Sequence, residues 1–158
     1  MRTGDLSLPH TLSADSRREL LDGAERRRLA EGEILFRAGD RATNLYLLDH
    51  GELLIEMDIP GDRPHALMNV APGDLFGWSA VLEPHVETAS VRATKASEVV
   101  VIPARPLLES IQSNQRLGMD LYRTLACLIA SRLAATRTQL AELLTPVQAG
   151  RNRLDRGQ

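Results

Sequence analysis

Hydrophobic positions along the chain change their period twice. Behind Ser13, whose hydroxyl suits a helix N-cap, the run from Ala14 to Asp22 carries Leu20 and Leu21, which predicts a short amphipathic helix. From Arg28 to Pro103 the apolar residues come in short or alternating runs, EILF, NLYLLD, LLIEMDI, HALMNV, DLFGW, TASVRAT and EVVVIP, which predict strands. Between them stand turn residues: Gly32, Gly39-Asp40, His50-Gly51, Pro60-Gly61-Asp62 and Pro72-Gly73-Asp74. Turns recurring about every 8–12 residues favour an antiparallel sandwich, jelly roll or small barrel over an α/β arrangement.

After Pro103 the period becomes helical and stays so. RPLLESIQ predicts a short helix from Arg105, and Gln115 to Leu144 a long one with Leu117, Leu121, Leu125, Ile129, Leu133, Thr136, Leu140 and Leu144 on one stripe. Ala126, Leu128, Ala130, Ala134 and Ala135 widen that face beyond one contact surface. One side can lie on the β-unit and another on a second copy, so a homodimer through the C-helix, about residues 114–144, is expected. Thr145-Pro146 and the following Gly150 are expected to stop the helix near Leu144, dividing the chain into a domain over 1–145 and a flexible tail over 146–158.

Composition narrows the function. At 158 residues, 43% of them hydrophobic, the chain supports one domain with a real core. A formal net charge of -2 lacks the basic excess that nucleic-acid phosphates demand. No direct nucleic-acid partner is expected, and Arg26-Arg27-Arg28 and the tail's Arg151, Arg153 and Arg156 read as solvated faces. The single cysteine, Cys127, offers no internal disulfide and is expected as a packed small residue on the helix. A reducing, cytoplasmic setting follows, and no apolar leader or long apolar run signals secretion or a membrane. His10, His50, His65 and His85 form no His-x-His pair, with His85 expected in a mobile loop, and neither a P-loop nor a Gly-x-Ser-x-Gly elbow is present. No metal, cofactor or enzyme activity is therefore expected.

Together with the order of elements, several local words resemble the cyclic-nucleotide-binding domain of the CRP/FNR sensor family. They are Gly32-Glu33, Leu35-Phe36, Gly39-Asp40, Leu45-Tyr46 and Gly51, then PGDLFG, TASVRA and VVVIP, within a resemblance spanning about Leu12 to Leu144. The resemblance implies a mainly β fold, a double-stranded β-helix or jelly roll with a short N-terminal helix and a long C-terminal helix that commonly dimerises. Transcription factors of that family continue into a helix-turn-helix domain. Only 14 residues follow Leu144 here, so a stand-alone domain without direct transcriptional control is expected.

The resemblance also places a ligand site. In the family's phosphate-binding cassette a Glu after Phe-Gly holds the ribose hydroxyl, and an Arg ahead of the later Ser/Thr-bearing strand pairs with the cyclic phosphate. Here Phe76-Gly77 is followed by Trp78, and Glu87 stands at the Arg position before Thr88-Ala89-Ser90. A carboxylate repels the anion that an Arg fork would hold, so ordinary cAMP or cGMP binding is not expected. The candidate pocket comprises Phe76, Gly77, Trp78, Ser79, Glu87, Thr88, Ala89 and Ser90, and the resemblance adds Arg132, Thr136 and Arg137 from a helix stretch that reaches the base. A solvated helix face is the alternative for Arg132 and Arg137. Two functions stay open. The first is a sensor whose small-molecule ligand offers an apolar face to Trp78; the second is a ligand-free module in which Trp78 fills the pocket and the helix dimerises or docks another signalling protein.

Overall fold

The computed structural model describes residues 12–154, with side chains through Thr145. Ser13 caps helix α1, Ala14–Leu20, its hydroxyl accepting from the Ser16 N–H at 3.2 Å. The strands follow as β1 Glu25–Leu29, β2 Ile34–Phe36, β3 Asn44–His50, β4 Leu53–Met57, β5 His65–Val70, β6 Leu75–Phe76, β7 Ser90–Ala93 and β8 Ser97–Pro103. A single 3-10 turn, Trp78–Ala80, sits between β6 and β7, and helices α2, Ala104–Ser113, and α3, Gln115–Leu154, complete the order.

All strand pairs are antiparallel, in two four-stranded sheets ordered β1-β8-β3-β6 and β2-β7-β4-β5. Alternation explains the core: each strand turns every second apolar side chain inward, and Leu29, Leu48, Leu53, Val70, Phe76, Val91 and Val99 from both sheets form one buried cluster. This is the expected jelly-roll architecture with its short N-terminal and long C-terminal helices. Strand β1 falls on the arginine run, which sequence reading placed only on a solvated surface. Glu25 to Arg28 are exposed, yet their backbone pairs with β8, Leu29 anchors the strand in the core, and Arg26 bridges Asp49 and Glu98. An edge strand with one buried residue has no hydrophobic alternation to reveal it.

The chain divides into two compact units after Thr124. The first holds the β-roll, α1, α2 and the start of α3. There Leu117 and Leu121 are fully buried, and Asp120 accepts from the Ser16 hydroxyl at 2.7 Å. The second unit is the rest of α3, along which the leucine stripe changes from buried to exposed. Leu125 is buried, whereas Ile129, Leu133, Leu140, Leu143 and Leu144 are exposed. Cys127 is exposed too, not packed. The helix runs on past Thr145-Pro146 to Leu154 instead of ending near Leu144. Proline's fixed φ is itself helical, and its cost is the lost N–H bond and crowding of the preceding turn, so helical geometry carries through at reduced stability. No helix among the described residues is long and apolar enough to cross a membrane. His10 and the side chains of Arg151, Arg153 and Arg156 lie outside what is described.

Candidate functional site

The cassette is built by a turn that only glycine permits. Gly77 has φ of 71°, and a Cβ there would stand 2.7 Å from Tyr46 Cδ2. The sharp turn carries the chain from buried Phe76 to half-buried Trp78. Behind it Phe36, Tyr46 and Phe76 stack, with ring centroids 5.5 Å apart for Phe36 and Tyr46 and 5.3 Å for Tyr46 and Phe76. After Phe76-Gly77 the chain makes one 3-10 turn of three residues, which offers no extended row of free N–H groups to an anion.

Opposite this turn, Arg37 to Ala42 runs beside His85 to Glu87. The Gly39 N–H donates to the Glu87 carbonyl at 2.8 Å, the Glu87 N–H to the Asp40 carbonyl at 2.8 Å, and the Ala42 N–H to the His85 carbonyl at 2.9 Å. His85, at φ of 58°, is held with Nδ1 3.1 Å from the Ala80 carbonyl oxygen, so it is anchored rather than mobile. Among the described residues, the groups placed close enough to share a metal are Asp49, His50 and Glu98, and Arg26 already bridges the two carboxylates.

Between the two walls lies a cavity of about 70 Å³, lined by Phe36, Ile55, Phe76, Gly77, Trp78, Ser79, Glu87, Thr88, Ala89 and Val91. Seven of the eleven candidate residues therefore come together here: Phe76, Gly77, Trp78, Ser79, Glu87, Thr88 and Ala89. Ser90 does not line the cavity. Its hydroxyl is buried, accepting from the Ala38 N–H at 3.0 Å and donating to Asp58 Oδ2 at 3.3 Å, which makes it a brace for the loop after β2. Arg132 and Thr136 belong to the second unit, where the Thr136 hydroxyl donates to the Arg132 carbonyl at 2.9 Å. Phe36, Ile55 and Val91 were missed by sequence reading. Val91 follows from the alternation Glu87, Ala89, Val91. Phe36 and Ile55 become visible only through register, because both pair directly with Val91 from neighbouring strands.

The electrostatics are those of an inverted phosphate site. Glu87 is only 5% exposed, and no hydrogen bond or ion pair among the described residues reaches its carboxyl group. Burial, with the charge of Asp40 adding to it, pushes its pKa up to about 7. Among the described residues, no basic side chain lines the cavity. Arg92 is engaged elsewhere, its guanidinium forked onto both carboxylate oxygens of buried Glu56.

Residues 26–114 match the cyclic nucleotide-binding domain family, more than half of the chain. The CRP-like cAMP-activated global transcriptional regulator of Mycobacterium tuberculosis is 27% identical over 120 residues, covering 76% of this chain and 52% of the relative. The chain thus spans about half the length of that curated relative. Among solved structures, a cyclic nucleotide-binding domain from Methylobacillus flagellatus superposes with a TM-score of 0.75 at 19% identity, covering 89% of this chain and 79% of the other. The c-di-GMP responsive global regulator CLP of Xanthomonas campestris gives 0.74 at 22% identity, covering 83% and 64%.

Proposed function

Because the chain belongs to the cyclic nucleotide-binding domain family, we propose that it is a non-catalytic sensory or regulatory domain whose cassette takes a ligand other than cAMP or cGMP. The observation that carries this reading is Glu87, a buried carboxyl at the position where the family's pattern has the phosphate-binding Arg. An anion brought there would meet both the desolvation cost and like charge, with Asp40 beside it. Size points the same way. A cavity of about 70 Å³ is well below the ~300–1,000 Å³ typical of pockets for larger ligands. Trp78 lines this space rather than abolishing it, which favours a small ligand over an empty plug. That the fold also serves a c-di-GMP responsive regulator fits a scaffold whose ligand varies with its side chains. A thermal-stability screen of nucleotides, cyclic dinucleotides and small metabolites tests the reading. A ligand at 100 times its Kd should add about 2.7 kcal/mol of stability, whereas a screen in which no compound shifts the melt speaks for a ligand-free module.

A second feature supports dimerisation through α3, with partner docking as its alternative. Ile129, Leu133, Leu140 and Leu143 are all exposed and, with Ala126 and Thr136, follow the alternating spacing of three and four residues that forms a coiled-coil seam. Met119 and Tyr122, also exposed, continue the same spacing toward the N-terminus of the helix. Leucines left 50% and 73% exposed, as Leu133 and Leu143 are, gain by pairing with a second copy. Light scattering at tens of micromolar is expected to give the dimer mass for the wild type and the monomer mass for Leu133→Asp. A wild-type monomer would remove the dimer.

A further inference from the structure

We propose, building on the reading of this domain as a ligand-binding one, that the cassette cavity bounded by Phe36, Phe76, Trp78 and Glu87 binds a small organic cation, an ammonium or guanidinium headgroup. Two independent features of the cavity call for positive charge. Phe36, Phe76 and Trp78 line it, and aromatic rings attract cations through their quadrupole, tryptophan most strongly. Its one ionisable lining residue is a carboxyl that is 5% exposed and lacks a donor from any described residue. A buried carboxylate without a counter-charge is costly, and a bound cation would supply that charge.

The surroundings reinforce the sign. Asp40 is held beside Glu87 by the paired backbone bonds of the facing turn, and its charge acts on that carboxyl. Tyr46 from β3 also feels the charge of Glu87, and burial pushes its phenol pKa up. Arg92 supplies no competing cation, since Glu56 holds it. Size restricts the class: about 70 Å³ is room for roughly two waters, which suits a methylammonium or guanidinium group and not a whole nucleotide. Thr88, exposed at the rim, leaves space for a substituent outside.

Trp78 is the only tryptophan of the chain, so its fluorescence reports on this cavity. The full chain is titrated at pH 8.5 with methylammonium chloride and, in parallel, with cAMP and with sodium chloride at matched ionic strength. A saturable change with methylammonium beyond that with sodium is expected. Glu87→Gln should weaken it by about tenfold or more, and Glu87→Asp, which keeps the charge, by less. Binding should also weaken at pH 5.5, where Glu87 is protonated. An equal response from Glu87→Gln, tighter binding on acidification, or no difference from sodium would each overturn the cation. A micromolar response to cAMP would overturn it too while leaving a ligand site in place. The broader reading falls separately, when the metabolite screen finds no stabilising compound.

Discussion

Glu56 and Glu87 are buried to nearly the same degree in the same β-roll, 7% and 5% exposed, but they are provided for differently. Glu56 on β4 meets the Arg92 guanidinium from β7, its direct neighbour in the sheet, through both carboxylate oxygens. Glu87, just ahead of the same strand β7, has the carboxylate Asp40 acting on it instead of a cation. A paired buried carboxylate is part of the framework, because its charge is neutralised within the fold. An unpaired one raises the energy of the unliganded domain, either by binding a proton near neutrality or by bearing an uncompensated charge. The contrast separates framework from site more sharply than the aromatic content does, since Tyr46 and Phe76 pack equally well in either role.

The contrast can be broken most forcefully at the paired site. Arg92→Met leaves Glu56 buried without its partner and should cost about 3 kcal/mol, read by urea denaturation at pH 7. A loss below about 0.5 kcal/mol would mean that the fork contributes no more than a surface pair.

Removing the unpaired charge should act in the opposite direction, and only above acid pH. The folded-state pKa of Glu87, about 7, lies above its ordinary value of 4.5, so the native state binds the proton more tightly than the unfolded chain. The stability linked to that proton is fully present below about pH 4.5 and is lost as pH rises through 7. Glu87→Gln lacks this loss. Relative to wild type it should gain about 2 kcal/mol between pH 5 and pH 8, checked by melts of both proteins across that range. A constant difference between the two would show that the carboxyl titrates normally.

A smaller effect sharpens the geometry of the site. Gly77→Ala places a Cβ against the Tyr46 ring at a positive φ and should cost about 1–2 kcal/mol. The loss should come with a shifted Trp78 emission, because the same turn aims the indole. An unchanged spectrum would detach Trp78 from that turn.

Much of this was legible in the sequence, and for identifiable reasons. Strands β3, β4, β5 and β8 announce themselves by apolar runs, and the turn glycines punctuate them; β3 and β8 are buried on both faces. Cassette residues from Phe76 to Ala89 were found because they are contiguous with a motif. What failed depended on partners distant in the chain. Strand β1 has one buried residue, so its arginines look like a charge run. Phe36 and Ile55 reach the cavity through register with Val91, which one strand alone does not encode. The hydroxyl of Ser90 looked available until Ala38 and Asp58 were placed beside it. On α3 the leucine stripe changes role along its length: Leu117, Leu121 and Leu125 are buried, whereas Ile129, Leu133, Leu140 and Leu144 are exposed.

The central claim is that charge at position 87 decides what the cassette accepts, and isothermal titration calorimetry with cAMP tests it most directly. The wild-type chain is expected to bind cAMP no better than about millimolar, while Trp78→Glu combined with Glu87→Arg restores the ribose acceptor and the phosphate fork and should bind at least ~100-fold more tightly. Micromolar binding of cAMP by the wild type would contradict the claim.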